Sequence, residues 1–220
     1  MEIVVTGASS GIGREVVRKF SHDSRNRIIA VSRNEAALKT LSDASAGATI
    51  IGMPFDITDG LNGLKKLKKG ISGEFSGIDI LVNCAGQLVN RPFTDHTAED
   101  INTLVSVNFT GTASLIQVLL PLLRKGSHVV SLGSMGGFQG SVKFPGLSYY
   151  SATKGAIAIL TECLASEYSD SGISFNCLCP GAVETDMFRQ AFPGYKAPVS
   201  GEEMAAFIAE FAINGHKYFN

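Results

Sequence analysis

The 220-residue chain has no tryptophan, few aromatics (8%) and little charge (18%, net −1 at pH 7). So even a balance offers no broad electrostatic attraction, and neither nucleic acid nor an acidic lipid surface is expected as a partner. Cysteine is also scarce. Cys84, Cys163, Cys177 and Cys179 show no CxxC pairing, and Cys177 and Cys179 fall in a strand-like run where both point to one face. They read as reduced, buried thiols. His22, His96, His128 and His216 are scattered without ligand spacing, so no metal site is expected. Met1 is followed by "EIVVTG", which lacks the basic and long apolar regions of a signal peptide. No apolar run reads as long enough to span a bilayer. These absences predict a soluble, cytoplasmic protein.

What is present is a hydrophobic content of 45% and 24 glycines, which suit a globular α/β chain. The length fits one domain, residues 1–220. The runs "EIVVT", "RIIAVS", "ATIIG", "IDILVN", "SHVVSL" and "ISFNCLC" read as strands separated by helix-length segments. They are almost continuously apolar, as strands covered on both faces are. The expected fold is a Rossmann-type, doubly wound parallel sheet in three α/β/α layers. The charge run "LKKLKKG" at 64–70 reads as the wet face of a helix.

In such a sheet ligands lie beyond the carboxyl ends of the strands, and the polar signals cluster there. After the first strand comes "TGASSGIG", leading into a helix. Gly7, Gly11 and Gly13 let the backbone turn and approach a diphosphate, and the helix start supplies amide donors. The stretch Gly7, Ser9, Ser10, Gly11, Ile12 and Gly13 is therefore a candidate dinucleotide cradle, against the plainer reading of a glycine-rich turn. The second strand ends "AVSRN". Ser32 stands where an acid would bind ribose hydroxyls, and Arg33 suits a 2′-phosphate, which favours NADP(H) over NAD(H) unless Arg33 is only a solvated loop residue. "LSYYSATKGA" then sets Tyr150 and Lys154 four apart on one helix face, with Tyr149 about 100° away. A phenol with pKa about 10 is a poor base, and a neighbouring ammonium is expected to lower that value. By itself YxxxK is no more than a ring and a solvated charge at helical spacing.

TGxxxGxG, "NCAG" after the fourth strand, "SVNFTG", "VVSLGSMGG", YxxxK and "CLCPGAVETDM" occur in this order along nearly the whole chain. Together they resemble the short-chain dehydrogenase/reductase family in its classical form. The resemblance implies hydride transfer between NADP(H) and a small carbonyl or alcohol substrate, with Tyr150 exchanging the proton. Ser134 would bond the substrate oxygen, Lys154 the nicotinamide ribose, and Asn108 would disrupt its helix and complete a proton relay. Asp56 and Ile57 would border the adenine. Asn83, Ala85 and Gly86 would make room for ribose and phosphates, Cys84 departing from the family's second asparagine. Pro180, Gly181, Val183 and Thr185 would cover the nicotinamide. The cofactor half would be residues 1–90 and the catalytic half 91–220.

One departure stands out. After Thr185 come "FRQAFPGYKAPVS", one helix and "GHKYFN", with no strand expected to follow; against the family pattern this implies a truncated or naturally short form. The short lid implies an open pocket that could admit a carrier-bound substrate, 3-oxoacyl reduction being one candidate. The two long helices near Asn108 and Tyr150 imply a homodimer. A cofactor-binding scaffold or redox sensor is the competing function, and a remnant of poor stability is a third.

Overall fold

The computed structural model describes residues Met1–Tyr218. Eight helices and eight strands alternate along it: β1 (Glu2–Thr6), α1 (Gly11–Phe20), β2 (Arg27–Ser32), α2 (Glu35–Asp43), β3 (Thr49–Pro54), α3 (Gly60–Glu74), β4 (Ile78–Asn83) and α4 (Ala98–Val105). Then follow α5 (Thr112–Leu119), β5 (Leu123–Leu132), α6 (Ser148–Glu167), β6 (Ser174–Leu178), β7 (Val183–Glu184), α7 (Asp186–Ala191), β8 (Val199–Ser200) and α8 (Gly201–Asn214). The first six strands pair in parallel in the order β3-β2-β1-β4-β5-β6, and β7 with β8 forms a separate two-residue ladder.

Alternation along each strand builds the three layers. In β1, Ile3 and Val5 face Val16, Val17 and Phe20 of α1, Leu38 of α2 and Ile208 of α8. Val4, between them, faces Leu64 and Ile71 of α3 and Leu115 and Leu119 of α5 on the other side. Burial on both faces is why these strands read as continuous apolar runs. Local signals agree with the helix starts. Asn34 caps α2 by accepting the Ala37 N–H, and Thr97 with Asp100, and Ser200 with Glu203, form reciprocal capping boxes on α4 and α8.

All six predicted strands form, β3 and β6 with ends shifted by one or two residues and β5 with a start four residues early. β5 begins at Leu123 rather than Ser127, because the Ser127 hydroxyl donates to the Ile78 carbonyl and Arg124 pairs with Asp79, tying the earlier residues to β4. No seventh strand joins the main sheet among the described residues. The expectation of a missing strand extends to Asn220, and Phe219 and Asn220 lie outside those residues. The expectation that no run could span a bilayer needs correcting. Ala98–Leu122 is a continuous 25-residue helical stretch long and apolar enough to do so by composition. Its apolar character is used instead against the sheet, where Leu115, Ile116 and Leu119 are buried.

The strand order reverses between β1 and β4, and the crevice that such a reversal leaves lies beyond their carboxyl ends.

Candidate active site

Gly7 leaves β1 with φ +66, and a Cβ there would lie 2.7 Å from the Ala85 amide nitrogen. The exits of β1 and β4 therefore touch through bare backbone. Gly13, one turn into α1, would place a Cβ 2.3 Å from the Gly7 carbonyl oxygen, so the helix can start this close to the strand only with glycine. The Ala85 N–H donates to the Thr6 hydroxyl, which fixes the second wall to the first. Across the crevice, a Cβ on Gly11 would meet the Thr185 methyl at 3.6 Å. Thr185 caps α7 by accepting the Phe188 N–H, Pro180 accepts the Met135 N–H, and Gly181 is exposed between them. Val183 is buried and pairs with Val199.

At the far end of the crevice, Ser32 is buried and accepts the Asn34 N–H, whereas Arg33 is exposed and its guanidinium lies 3.6 Å from Asp56. Burial pushes the Asp56 carboxyl up, but the Thr58 N–H and hydroxyl, with Arg33, more than offset it and hold the group below the usual range. Ile57 is buried against Gly111. Ser9 is half-buried and Ser10 exposed at the start of α1, Ile12 packing beneath them.

The centre of the crevice collects the remaining predicted residues. Asn108 sits in a π-helical turn, Ser106–Gly111, between α4 and α5. That bulge is the local disruption the sequence anticipated, and it aims the Asn108 amide inward. Asn108 Oδ1 accepts the Gln87 N–H at 2.7 Å, while its Nδ2 donates to the Gln87 carbonyl at 2.8 Å and to the Thr153 hydroxyl at 3.1 Å. Thr153 precedes Lys154, so the bulge is tied directly to α6. The Lys154 ammonium is buried, donates to the Leu132 carbonyl at 2.8 Å, and lies 3.3 Å from where a Gly86 Cβ would be, with Asn108 Oδ1 3.5 Å from that point. Burial lowers its pKa to about 8, with Cys177, Cys84 and Cys179 pulling weakly the other way.

Ser134, just after β5, accepts the Gly136 N–H and is a hydrogen-bond partner of Tyr150. Burial raises the Tyr150 pKa, and Ser134 only partly offsets it. This corrects the expectation that Lys154 would lower it, because the ammonium lies 6.0 Å from the centre of the Tyr150 ring and is engaged with Leu132. Tyr149 turns away to stack on Phe93, with centroids 5.4 Å apart, beside His96.

The model for short chain dehydrogenases matches residues 2–196. The chain belongs to the short-chain dehydrogenase family. It is therefore an oxidoreductase of that type, within a family that works on small molecules with a nicotinamide cofactor. An uncharacterized oxidoreductase of Staphylococcus epidermidis is 33% identical over 220 residues, covering 99% of this chain and 92% of that one. A short chain dehydrogenase from Burkholderia cenocepacia, solved in complex with NADP, superposes with a TM-score of 0.88 at 25% identity, covering 99% of this chain and 92% of that one. A Shigella flexneri short chain dehydrogenase complexed with NADP superposes with a TM-score of 0.85 at 25% identity, covering 96% and 90%.

The crevice of this short-chain dehydrogenase fits a dinucleotide. Its floor is backbone at Gly7 and Gly86, where an added Cβ would meet Ala85 N and Lys154 Nζ, and the buried Asn83 Oδ1 has no partner, its Nδ2 donating to Ser131. Sequence reasoning missed Gln87, Thr153 and the Leu132 carbonyl. Gln87 and Leu132 act through backbone atoms, which leave no side-chain signal. Thr153 could have been found as the hydroxyl beside the lysine in "SATKG".

Proposed function

We propose that the chain is an NADP(H)-dependent reductase of carbonyl compounds, or dehydrogenase of the corresponding alcohols, with residues 1–90 binding the dinucleotide and 91–220 supplying the reacting groups. The observation that carries this proposal is the convergence of Asn108, Ser134, Tyr150 and Lys154 from three separate segments, with Asn108 and Lys154 beside Gly86. When bound, the nicotinamide supplies or accepts the hydride. Tyr150, whose pKa burial raises, carries its proton at neutral pH and is placed to pass it to a carbonyl oxygen. Ser134 is already bonded to Tyr150 and orients the same oxygen. Lys154, partly deprotonated near pH 8, is placed to exchange a proton and to bond ribose hydroxyls from a dry position. Asn108 holds the Gln87 loop and, through Thr153, the start of α6 in register with it.

Arg33 supports NADP(H): it is a guanidinium without an acidic neighbour in β2, exposed where a 2′-phosphate would sit. Among the described residues Arg33 pairs with Asp56 at 3.6 Å, a long contact at the surface that a phosphate could displace. The lid is a single short helix, α7, tethered by the Asn90 amide to the Ala191 carbonyl, which suits an open pocket and a long or carrier-bound substrate such as a 3-oxoacyl thioester. A homodimer through α5 and α6 and a cytoplasmic location complete the proposal.

Tyr150→Phe tests it. Removing the acid should lower kcat for carbonyl reduction by about 10²–10⁴-fold while NADPH binding persists. Full turnover by the variant would sink the assignment, and a wild-type protein that binds NADPH without turning over any carbonyl would favour the scaffold alternative.

A further inference from the structure

Three thiols surround the buried lysine, and two of them are arranged to react with each other. Cys177, the fourth residue of β6, and Cys179, just past its end, place their sulfurs 4.0 Å apart. Both are partly exposed. They hang over Gly133, where a Cβ would lie 2.7 Å from Cys179 Sγ and 2.8 Å from Cys177 Sγ. Any other residue at 133 would drive the sulfurs apart, so the glycine and the two cysteines form one fitted set.

We propose that Cys177 and Cys179 are a dithiol that peroxide converts to an intrachain disulfide, and that the bridge distorts the crevice so that it holds a dinucleotide less tightly. The effect on the crevice rests on the dinucleotide assignment; the thiol chemistry does not. Cys179 is the sulfur that attacks. Its pKa is lowered by the hydrogen bond from Cys177, against burial, with help from the Ser134 N–H and the Lys154 charge. The thiolate attacks one peroxide oxygen, the O–O bond breaks, and hydroxide leaves to combine with the proton Cys179 had released. Cys177 then attacks the resulting sulfenic sulfur, its own proton leaving with the departing hydroxyl as a second water. Two thiols and one peroxide thus become one disulfide and two waters, with two electrons passing from sulfur to oxygen.

The consequence follows from strand geometry. Residues two apart on an extended strand have Cα atoms about 6.4–6.8 Å apart, the long limit for a disulfide. Closing the bridge therefore shortens the strand end and tilts the Leu178 peptide. The Leu178 carbonyl accepts the Gly133 N–H at 2.8 Å, and the Pro180 carbonyl, two residues on, accepts the Met135 N–H at 2.9 Å. These two bonds straddle Ser134, so the bridge disturbs Ser134 and the Pro180–Thr185 cover together. A bridge closed against strain is readily reduced again, which suits a reversible switch.

The test uses a Cys163→Ser background, which removes the exposed thiol. Reduced protein is exposed to hydrogen peroxide, quenched, and then alkylated after unfolding. Two of the three remaining thiols should be lost with a mass decrease of two hydrogens, and peptide mapping should place the bridge at 177–179. The dissociation constant for NADPH should rise about tenfold or more, and dithiothreitol should reverse both changes. Cys177→Ala and Cys179→Ser should each abolish the mass change. Three alkylatable thiols after peroxide, a bridge that includes Cys84, or a bridge with unchanged NADPH affinity would each overturn the proposal. A reduced protein that binds no NADPH would refute the dinucleotide assignment and the effect on affinity with it, while mass and thiol count would still report the bridge.

Discussion

Lys154 shows at the scale of one residue how burial sets chemistry. Its pKa falls from 10.5 to about 8 because the folded chain takes the ammonium out of water. A lysine depressed in this way costs stability in full below the folded value, and the cost disappears as pH rises toward the unfolded one. Folding should therefore gain about 3 kcal/mol between pH 8 and 10.5 from this group alone. Thermal melts of the wild type and Lys154→Met across that window should diverge in favour of the wild type as pH rises, and a constant difference would contradict the burial. YxxxK made Tyr150 and Lys154 legible as neighbours on a helix face. Their electrostatics were not legible, because the ammonium's partner is the Leu132 carbonyl and the tyrosine's environment is set by β5, both distant in sequence.

The π-helical turn Ser106–Gly111 is tied to two other parts of the fold. Asn108 reaches the Gln87 backbone beyond β4 and Thr153 of α6, and it is 1% exposed, so truncation would strand several buried polar groups at once. Asn108→Ala should cost about 2–4 kcal/mol, seen as a fall in Tm of about 5–15 °C. A melt within a degree of the wild type would show that the bulge is held by something else. Strands were readable because double-sided burial leaves an apolar run, and helix starts because caps are local chemistry. The π-turn was readable only as a misplaced asparagine, since the phase shift of about 100° that an extra residue causes is hard to see between two helical segments of eight residues each. The early start of β5 escaped notice because "LRKG" is polar and is held in the sheet by Asp79 and Ile78.

For the whole molecule, the outer face of α6 carries Ala152, Gly155, Ala156 and Ile159. With Phe93 and Phe144 these line a groove of about 920 Å³, and Ile159 is 63% exposed. An apolar face of small residues on a long helix is the expected seat of the proposed homodimer. Light scattering should give twice the chain mass, with Ile159→Lys reduced to the monomer mass and still folded; a monomeric wild type would refute it. The architecture as a whole was legible from the order of its motifs, since each lies just past a strand and the sheet brings those ends together. Cofactor choice is the central claim, and one titration addresses it. NADPH and NADH should be titrated separately, following nicotinamide fluorescence, which the absence of tryptophan leaves unobscured at the protein end. A charge-assisted bond from Arg33 to a 2′-phosphate contributes about 1.5–3 kcal/mol, so NADPH should bind about 10–150-fold more tightly than NADH, and Arg33→Ser should erase the difference. Equal affinity for both nucleotides, or tighter binding of NADH, would contradict the account.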